Sequence, residues 1–172
     1  MQKNTIFAIS FFLISLIVLF SYYSENPVPG GSKYHLPEPR EVDINGVPFI
    51  ISWGFIEDEN SSNFREVTKI LNHNSTKEQR TFHQNDILLL DIQVFNFKGN
   101  NITFDDFNNL NDGSYENISI NGIDGIFKNE SVETYSGPVK NIHQRYYFNY
   151  VKDNKLIMIQ CDDLRTINEI VK

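Results

Sequence analysis

Apolar residues are distributed unevenly along the chain, and their first block is continuous rather than periodic. Residues 6–23 carry no charge and are interrupted only by Ser10, Ser15 and Ser21. As a helix this block would be about 27 Å long, close to the bilayer hydrocarbon thickness of about 30 Å. The pattern predicts a transmembrane anchor, or an uncleaved signal, over residues 1–23. A cleaved secretory signal is the alternative, although no pair of small residues marks a cleavage site.

The next segment, residues 24–40, has a different composition. It contains Pro27, Pro29, Pro37 and Pro39 together with the pair Gly30-Gly31. Prolines disfavour helices and central strands, and they favour an extended, solvated backbone. We therefore expect a stalk that connects the anchor to a folded body over residues 41–172.

Within this body, two-residue turn signals separate short apolar runs. Asn45-Gly46, Asn121-Gly122 and Asp153-Asn154 suit the positive φ angles of tight hairpin turns. The run at residues 86–97 is almost continuously apolar, which is typical of a strand buried on both faces near the centre of a sheet. Residues 80–84 are expected to pair with it.

Helical spacing occurs in three places. Residues 103–110 combine a capping pattern with apolar residues three apart, and the last residues of the chain form an apolar face after Asp162 or Asp163. Residues 64–71 show helical spacing too, but their β-branched content leaves a strand as an open alternative. The combined pattern predicts an α+β fold: a mainly antiparallel sheet with two or three packed helices, preceded by an N-terminal transmembrane helix.

Five motifs follow one another in the body: Val42-Asp43-Ile44-Asn45-Gly46-Val47-Pro48-Phe49, the acidic helix at residues 103–110, Ile120-Asn121-Gly122-Ile123-Asp124-Gly125, Tyr147-Phe148-x-Tyr150-x-Lys152-Asp153-Asn154-Lys155, and Ile167-x-x-Ile170. In this order they resemble small membrane-anchored archaeal surface proteins of unknown function with a PsbP-like α+β domain. The resemblance implies a domain that follows an N-terminal membrane segment. It implies no catalytic residue.

Charge narrows the class of partner. The chain has 15 basic and 22 acidic residues, a net charge of −7, and Lys3 is the one charged residue before position 24. The remainder therefore has a net charge of −8, too acidic for a nucleic-acid binder. Lys3 favours a cytoplasmic N-terminus. These features predict a single-pass protein of the cell membrane, with its domain outside the cytoplasm.

Residues that carry catalytic or metal chemistry are sparse. The single cysteine excludes an intrachain disulfide and a thiolate zinc cage, and Cys161 alternates with Ile157 and Ile159 as a core residue would. The four histidines are scattered, and neither a nucleophile motif nor a calcium loop is present. The sequence therefore predicts no catalytic residue, no metal site and no cofactor.

Two sets of residues remain as candidate surface features. Five sequons make Asn60, Asn74, Asn101, Asn117 and Asn129 candidate glycosylation sites. Residues 131–144 form a long connection between two strands, a place where recognition often occurs. We expect a partner-binding loop there, and a disordered insertion is the alternative. Its candidate binding residues are Tyr135, Gly137, Pro138 and His143.

The densest aromatic cluster contains Tyr146, Tyr147, Phe148 and Tyr150. Aromatic residues on strands usually form core and cross-strand pairs, and this is the interpretation we favour. A groove for a ligand or a sugar is the alternative.

Together these features favour a membrane-anchored, extracytoplasmic, non-catalytic domain that binds a surface protein or an envelope ligand. A pilin-like structural subunit is one alternative. The other is a hydrolase of envelope sugars that uses dispersed carboxylates such as Asp91, Asp105 or Asp124, which requires two carboxylates in one pocket.

Overall fold

Strands dominate the computed structural model, which describes residues 36–70, 72–85, 88–97, 99–108, 114–136 and 139–172, without the side chains of residues 135, 136 and 139. Leu36–Lys172 form one compact unit. Its elements are β1 (Arg40–Ile44), β2 (Val47–Ile51), β3 (Ile56–Glu57), β4 (Asn63–Ile70), β5 (His73–Gln84), β6 (Leu88–Asn96), α1 (Phe104–Asn108), β7 (Glu116–Ile120), β8 (Ile123–Ser136), β9 (Val139–Lys152), β10 (Lys155–Cys161) and α2 (Leu164–Ile170).

Eight of these strands form one antiparallel sheet in the order β3-β5-β6-β10-β9-β8-β7, and β4 also pairs with β5. β1 and β2 form a separate hairpin. The central strand predicted at residues 86–97 is confirmed over Leu88–Asn96, because β6 lies between β5 and β10. β6 is only partly apolar on one face, since Asp91 and Gln93 lie there. Its pairing with residues 80–84 is confirmed as well.

The three predicted hairpin turns are also confirmed. Asn45, Asn121 and Asp153 have φ angles of 52°, 52° and 50°. Asparagine and aspartate tolerate this left-handed region better than most residues do. Each turn joins directly paired strands: β1 with β2, β7 with β8, and β9 with β10.

The main core lies between one face of the sheet, here called the inner face, and the covering β1–β2 hairpin and α2. Its buried side chains include Ile44, Phe49, Ile51, Leu90, Ile92, Val94, Phe148, Ile157, Ile159, Cys161, Ile167 and Ile170. Cys161 is fully buried, which confirms its predicted place in the core.

Asn45 fixes the hairpin on the inner face. Its backbone N–H donates to Glu78 Oε2 at 2.9 Å, and its side-chain Nδ2 donates to the carbonyls of Thr76 (2.6 Å) and Val94 (3.0 Å). The residue that makes the turn therefore also binds the turn to β5 and β6.

A second, smaller core covers part of the opposite, outer face. It is formed by Phe95, Phe97, Ile102, Phe107, Ile126 and Leu156. The predicted capping box is present at the start of α1: Thr103 N and Oγ1 donate to Asp106 Oδ2 at 2.9 and 2.7 Å, and Asp106 N donates to Thr103 Oγ1 at 3.3 Å. This cluster takes up one region of the outer face, and the neighbouring region is polar.

The α+β prediction is wrong. The described residues are mostly strand, and their two helices contain only five and seven residues. Of the two alternatives for residues 64–71, the strand is the one found: residues 64–70 belong to β4, which pairs with β5. The β-branched residues Val67, Thr68 and Ile70 favour this outcome.

The long connection expected at residues 131–144 is not a loop over its described residues. Residues 131–136 belong to β8 and residues 139–144 to β9, and the two strands are paired, with Ser131 opposite Gln144 and Thr134 opposite Asn141. Backbone pairing, which the side-chain pattern of these residues does not show, makes the predicted loop a two-stranded arm, here called the β8–β9 arm.

Within the described ranges, no helix is long and apolar enough to cross a membrane, and the expected transmembrane helix has no counterpart there. Residues 1–23, on which that prediction rests, lie outside the described residues, as does the stalk up to residue 35. The end of the predicted stalk belongs to the folded unit, because the carbonyl of Pro37 accepts a 2.8 Å hydrogen bond from Gly54 N.

Candidate functional site

Polar side chains occupy the part of the outer face that the second core leaves uncovered. Strand pairing aligns them in two adjacent rows across β5, β6, β10 and β9, because directly opposed residues lie on the same face of a sheet. The rows are Gln79, Gln93, Met158 and Asn149, and Thr81, Asp91, Gln160 and Tyr147. We call these eight residues the polar patch.

Asp91 is the charged residue at the centre of the patch, and it is only 7% exposed. Its Oδ1 accepts hydrogen bonds from Thr81 Oγ1 and Gln79 Nε2, both at 2.8 Å, and its Oδ2 accepts one from Gln93 Nε2 at 2.9 Å. Burying a carboxylate is costly unless donors compensate its charge. Here three donors do so, and the carboxylate in turn orients the amides that surround it.

A cavity of about 150 Å³ opens over this part of the patch; we call it the outer-face cavity. Asn149, which is 3% exposed, forms part of its wall. The lining residues are Asp91, Gln93, Tyr115, Tyr147, Asn149, Met158, Ile159 and Gln160. The cavity therefore combines fixed hydrogen-bonding groups with two aromatic side chains.

Charged groups surround Tyr147 at one side of the cavity. Its hydroxyl donates to Glu130 Oε1 at 2.6 Å, and Lys128 Nζ lies 2.8 Å from Glu130 Oε2. Lys128 Nζ also lies 5.9 and 5.8 Å from the ring centroids of Tyr115 and Tyr147, within cation–π range.

These contacts determine the protonation states of Tyr147 and Glu130. Burial, and then the hydrogen bond to Glu130, raises the pKa of Tyr147 to about 12. The hydrogen bond from Lys128, and then the one from Tyr147, lowers the pKa of Glu130. At neutral pH the phenol is therefore a hydrogen-bond donor and the carboxylate is ionised.

A second ionic cluster borders the patch where β10 ends. Arg145 Nε donates to Asp162 Oδ1 at 2.7 Å, and His143 Nε2 lies 3.4 Å from Asp162 Oδ2. The Asp162 side chain is 3% exposed, and its hydrogen bond is the main cause that raises the pKa of Arg145. This cluster holds the β8–β9 arm against the end of β10.

Two other depressions are weaker candidates. One, of about 380 Å³, lies between the β1–β2 hairpin and the β9–β10 turn. Its Lys155 Nζ donates to Gly46 O and its Lys152 Nζ donates to the main-chain oxygen of Lys172, both at 2.9 Å. These lysines join segments of the chain to one another, so we assign this depression a structural role. The other is an open hollow lined by Ile56, Glu57, Asp58 and His83.

The five sequon asparagines are all exposed. They are distributed over the unit rather than gathered at one site: Asn60 in the β3–β4 turn, Asn74 on β5, Asn101 before α1, Asn117 on β7 and Asn129 on β8. Their glycosylation stays a prediction.

The structure does not gather the residues of the predicted partner loop into a site. Gly137 and Pro138 lie outside the described residues, and only the backbone of Tyr135 is described, in β8. His143 lies on β9 in the ionic cluster with Asp162. Binding through this arm stays a prediction.

The carboxylates proposed for a hydrolase are separated by their environments. Asp91 lies at the centre of the polar patch, whereas Asp105 is exposed on α1 and Asp124 is exposed on β8. Asp91 is the one carboxylate among the described residues that line the outer-face cavity. The carboxylate pair that the hydrolase hypothesis requires is therefore not found in that lining.

The sequence pattern does not predict the polar patch as a unit. It holds one signal of the patch, since Asp91 and Gln93 interrupt the otherwise apolar central strand on the same face. Their neighbours Gln79, Asn149 and Gln160 join them only through strand pairing, which the sequence does not show. Among the described residues, no group of three or more histidine, cysteine, aspartate or glutamate side chains is placed to hold a metal ion.

No protein-family model, curated protein or solved structure matches this chain. The resemblance to archaeal surface domains therefore stays a prediction.

Proposed function

We propose that the chain is a non-catalytic binding domain that acts outside the cytoplasm and recognises an envelope ligand through the polar patch. The observation that carries this proposal is the outer-face cavity, in which buried polar groups converge at the middle of a sheet. Concave sites with a few convergent polar groups are typical of ligand binding.

The geometry favours binding over catalysis. Asp91 accepts three hydrogen bonds from its own chain, and Tyr147 keeps its proton at neutral pH. Groups engaged in this way are poorly suited to exchange protons with a substrate, whereas the neighbouring amides of Asn149 and Gln160 are suited to hold a ligand by hydrogen bonds. Because they lie on paired strands, their positions are fixed before a ligand arrives, which lowers the entropic cost of binding.

Location outside the cytoplasm is supported by the sequence. The uncharged block at residues 6–23 is suited to attach the chain to the membrane, and an acidic body follows it. An envelope component would then be the ligand within reach.

A blocking substitution in the cavity tests the proposal. The full chain in detergent micelles is mixed with cell envelope from which detergent has removed the lipid, and the amount that sediments with the envelope is measured. Gln160→Trp and Gln160→Arg fill the cavity, and Gln144→Trp adds the same bulk on the exposed β8–β9 arm as the matched control.

We expect the wild type and Gln144→Trp to sediment with the envelope, and both Gln160 variants to remain in solution. Equal sedimentation of all four proteins, or of none, would contradict the proposal. Far-UV circular dichroism of each variant establishes that its sheet is formed.

A further inference from the structure

The lining of the outer-face cavity carries one formal charge, that of Asp91, and three neutral hydrogen-bond donors stabilise it. At the rim, the charge of Lys128 is paired with that of Glu130. Asp91 would repel an anionic ligand, and a cationic ligand would lose its hydration to reach a carboxylate that three donors already engage. These contacts therefore favour a neutral ligand.

Side chains that both donate and accept hydrogen bonds make up most of the polar lining. Gln93, Asn149 and Gln160 each carry an amide with two N–H donors and an acceptor oxygen, beside the acceptor oxygens of Asp91. A hydroxyl group also donates and accepts, so a row of hydroxyls matches this set better than a ligand with donors alone or acceptors alone.

Aromatic side chains complete the cavity. Tyr115 and Tyr147 line the same space as the amides, and a tyrosine ring provides a rigid apolar surface next to its polar groups. The volume of about 150 Å³ is below the roughly 300–1,000 Å³ of sites for drug-sized ligands. It suits one small ring with apolar C–H groups on its faces and hydroxyls at its edge.

We infer that the outer-face cavity binds a neutral polyhydroxylated ring, namely a pyranose unit of an envelope glycan. The inference rests on the proposed function and specifies its ligand class. The amides and Asp91 bind the ring hydroxyls, and the tyrosines pack against its C–H groups. A single ring makes few contacts, so its affinity is in the millimolar range.

The test uses the full chain labelled with ¹⁵N and nuclear magnetic resonance of its side-chain amides. The probes are glucose, galactose, mannose, N-acetylglucosamine and their short oligomers, with glucuronate and glucosamine as charged comparators. We expect a neutral sugar to shift the side-chain amide signals of Gln93, Asn149 and Gln160 and to leave Gln144 unmoved.

Two variants of one residue localise the binding. Tyr147→Phe keeps the ring and should bind within about threefold of the wild type, because the hydroxyl it loses points to Glu130. Tyr147→Ala removes the ring and should bind at least tenfold more weakly. Equal affinity of both variants for the sugar would overturn the position assigned to the pyranose ring.

Tighter binding of a charged comparator than of every neutral sugar would overturn the ligand class. If no neutral sugar shifts these amides while the Gln160 variants still lose envelope binding, the pyranose inference fails and the proposed function stands. If the Gln160 variants bind the envelope as the wild type does, both the proposed function and the pyranose inference fail.

Discussion

Asp91 shows how a buried charge can organise a surface. Its three donors come from β5 and from its own strand, so the carboxylate links two strands through side chains as well as through their backbones. The cost of burying the charge is offset locally, and the amides of Gln79 and Gln93 become fixed. The side chains of Thr81, Gln79 and Gln93 in the polar patch are therefore positioned by this one residue.

Removal of the Asp91 carboxylate should destabilise the sheet. In Asp91→Ala the Thr81 hydroxyl and two amides lose their acceptor, and we expect the free energy of unfolding to fall by about 2–3 kcal/mol. Urea unfolding followed by circular dichroism measures it. Asp124→Ala removes an exposed carboxylate as the control and should change the value by less than about 0.5 kcal/mol. An equal effect of both substitutions would argue against the bonded role of Asp91.

The hydroxyl of Tyr147 should lose its proton at a higher pH than that of an ordinary tyrosine. Burial and Glu130 raise its pKa from 10.0 to about 12, so the phenolate absorbance lost in Tyr147→Phe should have its midpoint near pH 12. A midpoint near pH 10 would contradict the buried, bonded hydroxyl.

The raised pKa of Tyr147 also makes the stability of the fold depend on pH. Because this pKa is higher in the folded than in the unfolded protein, the contribution of Tyr147 to stability is complete below about pH 10 and is lost as the pH rises through about 12. The difference in the free energy of unfolding between the wild type and Tyr147→Phe should shrink across this interval. A difference that grows with pH there would contradict the assigned sign.

Among the secondary-structure elements, two hairpin turns do more than reverse the chain: they also attach covering elements to the sheet. Asn45 binds the β1–β2 hairpin to β5 and β6, and Asn121 Nδ2 donates to the carbonyls of Asn168 and Val171 at the end of α2. In both cases a residue selected for its positive φ also attaches a covering element to the sheet.

This double role can be separated experimentally. Asn45→Gly keeps the turn conformation, since glycine adopts positive φ readily, but removes two hydrogen bonds to carbonyls. We expect the free energy of unfolding to fall by about 1–3 kcal/mol. Asn154→Gly makes the same change at an exposed turn residue with a φ of 58° and should be nearly neutral. A neutral Asn45→Gly would show that the hairpin is held by apolar contacts alone.

Local signals were sufficient for the hairpin turns, the central strand, the capping box of α1 and the C-terminal helix, because each depends on residues close together in the sequence. For the opposite reason, the local pattern leaves helix and strand open for residues 64–71 and predicts a loop at residues 131–144. Their strand character comes from pairing with β5 and within the β8–β9 arm, which a local pattern does not show. The polar patch also depends on strand pairing, which brings Gln79 and Gln160 to the two sides of Asp91.

At the scale of the molecule, Cys161 reports on the whole core. It is fully buried beneath α2 and the hairpin, and burial raises its pKa to about 11. Because the chain has a single cysteine, we expect a thiol reagent at neutral pH to label it only on unfolding.

An exposed thiol provides the control for this measurement. The double variant Cys161→Ala/Ser119→Cys places the thiol on exposed β7 and should react at once. Rapid labelling of the native wild type would show that the core opens without global unfolding.

Cross-linking from within the polar patch in intact cells shows whether the patch contacts a ligand there. A diazirine amino acid is placed at Gln160 or, as the control, at Gln144 in the full chain, and intact cells are irradiated. We expect a cross-linked envelope component from position 160 and none from position 144. Cross-links from position 144 alone, or from neither position, would contradict the proposed function.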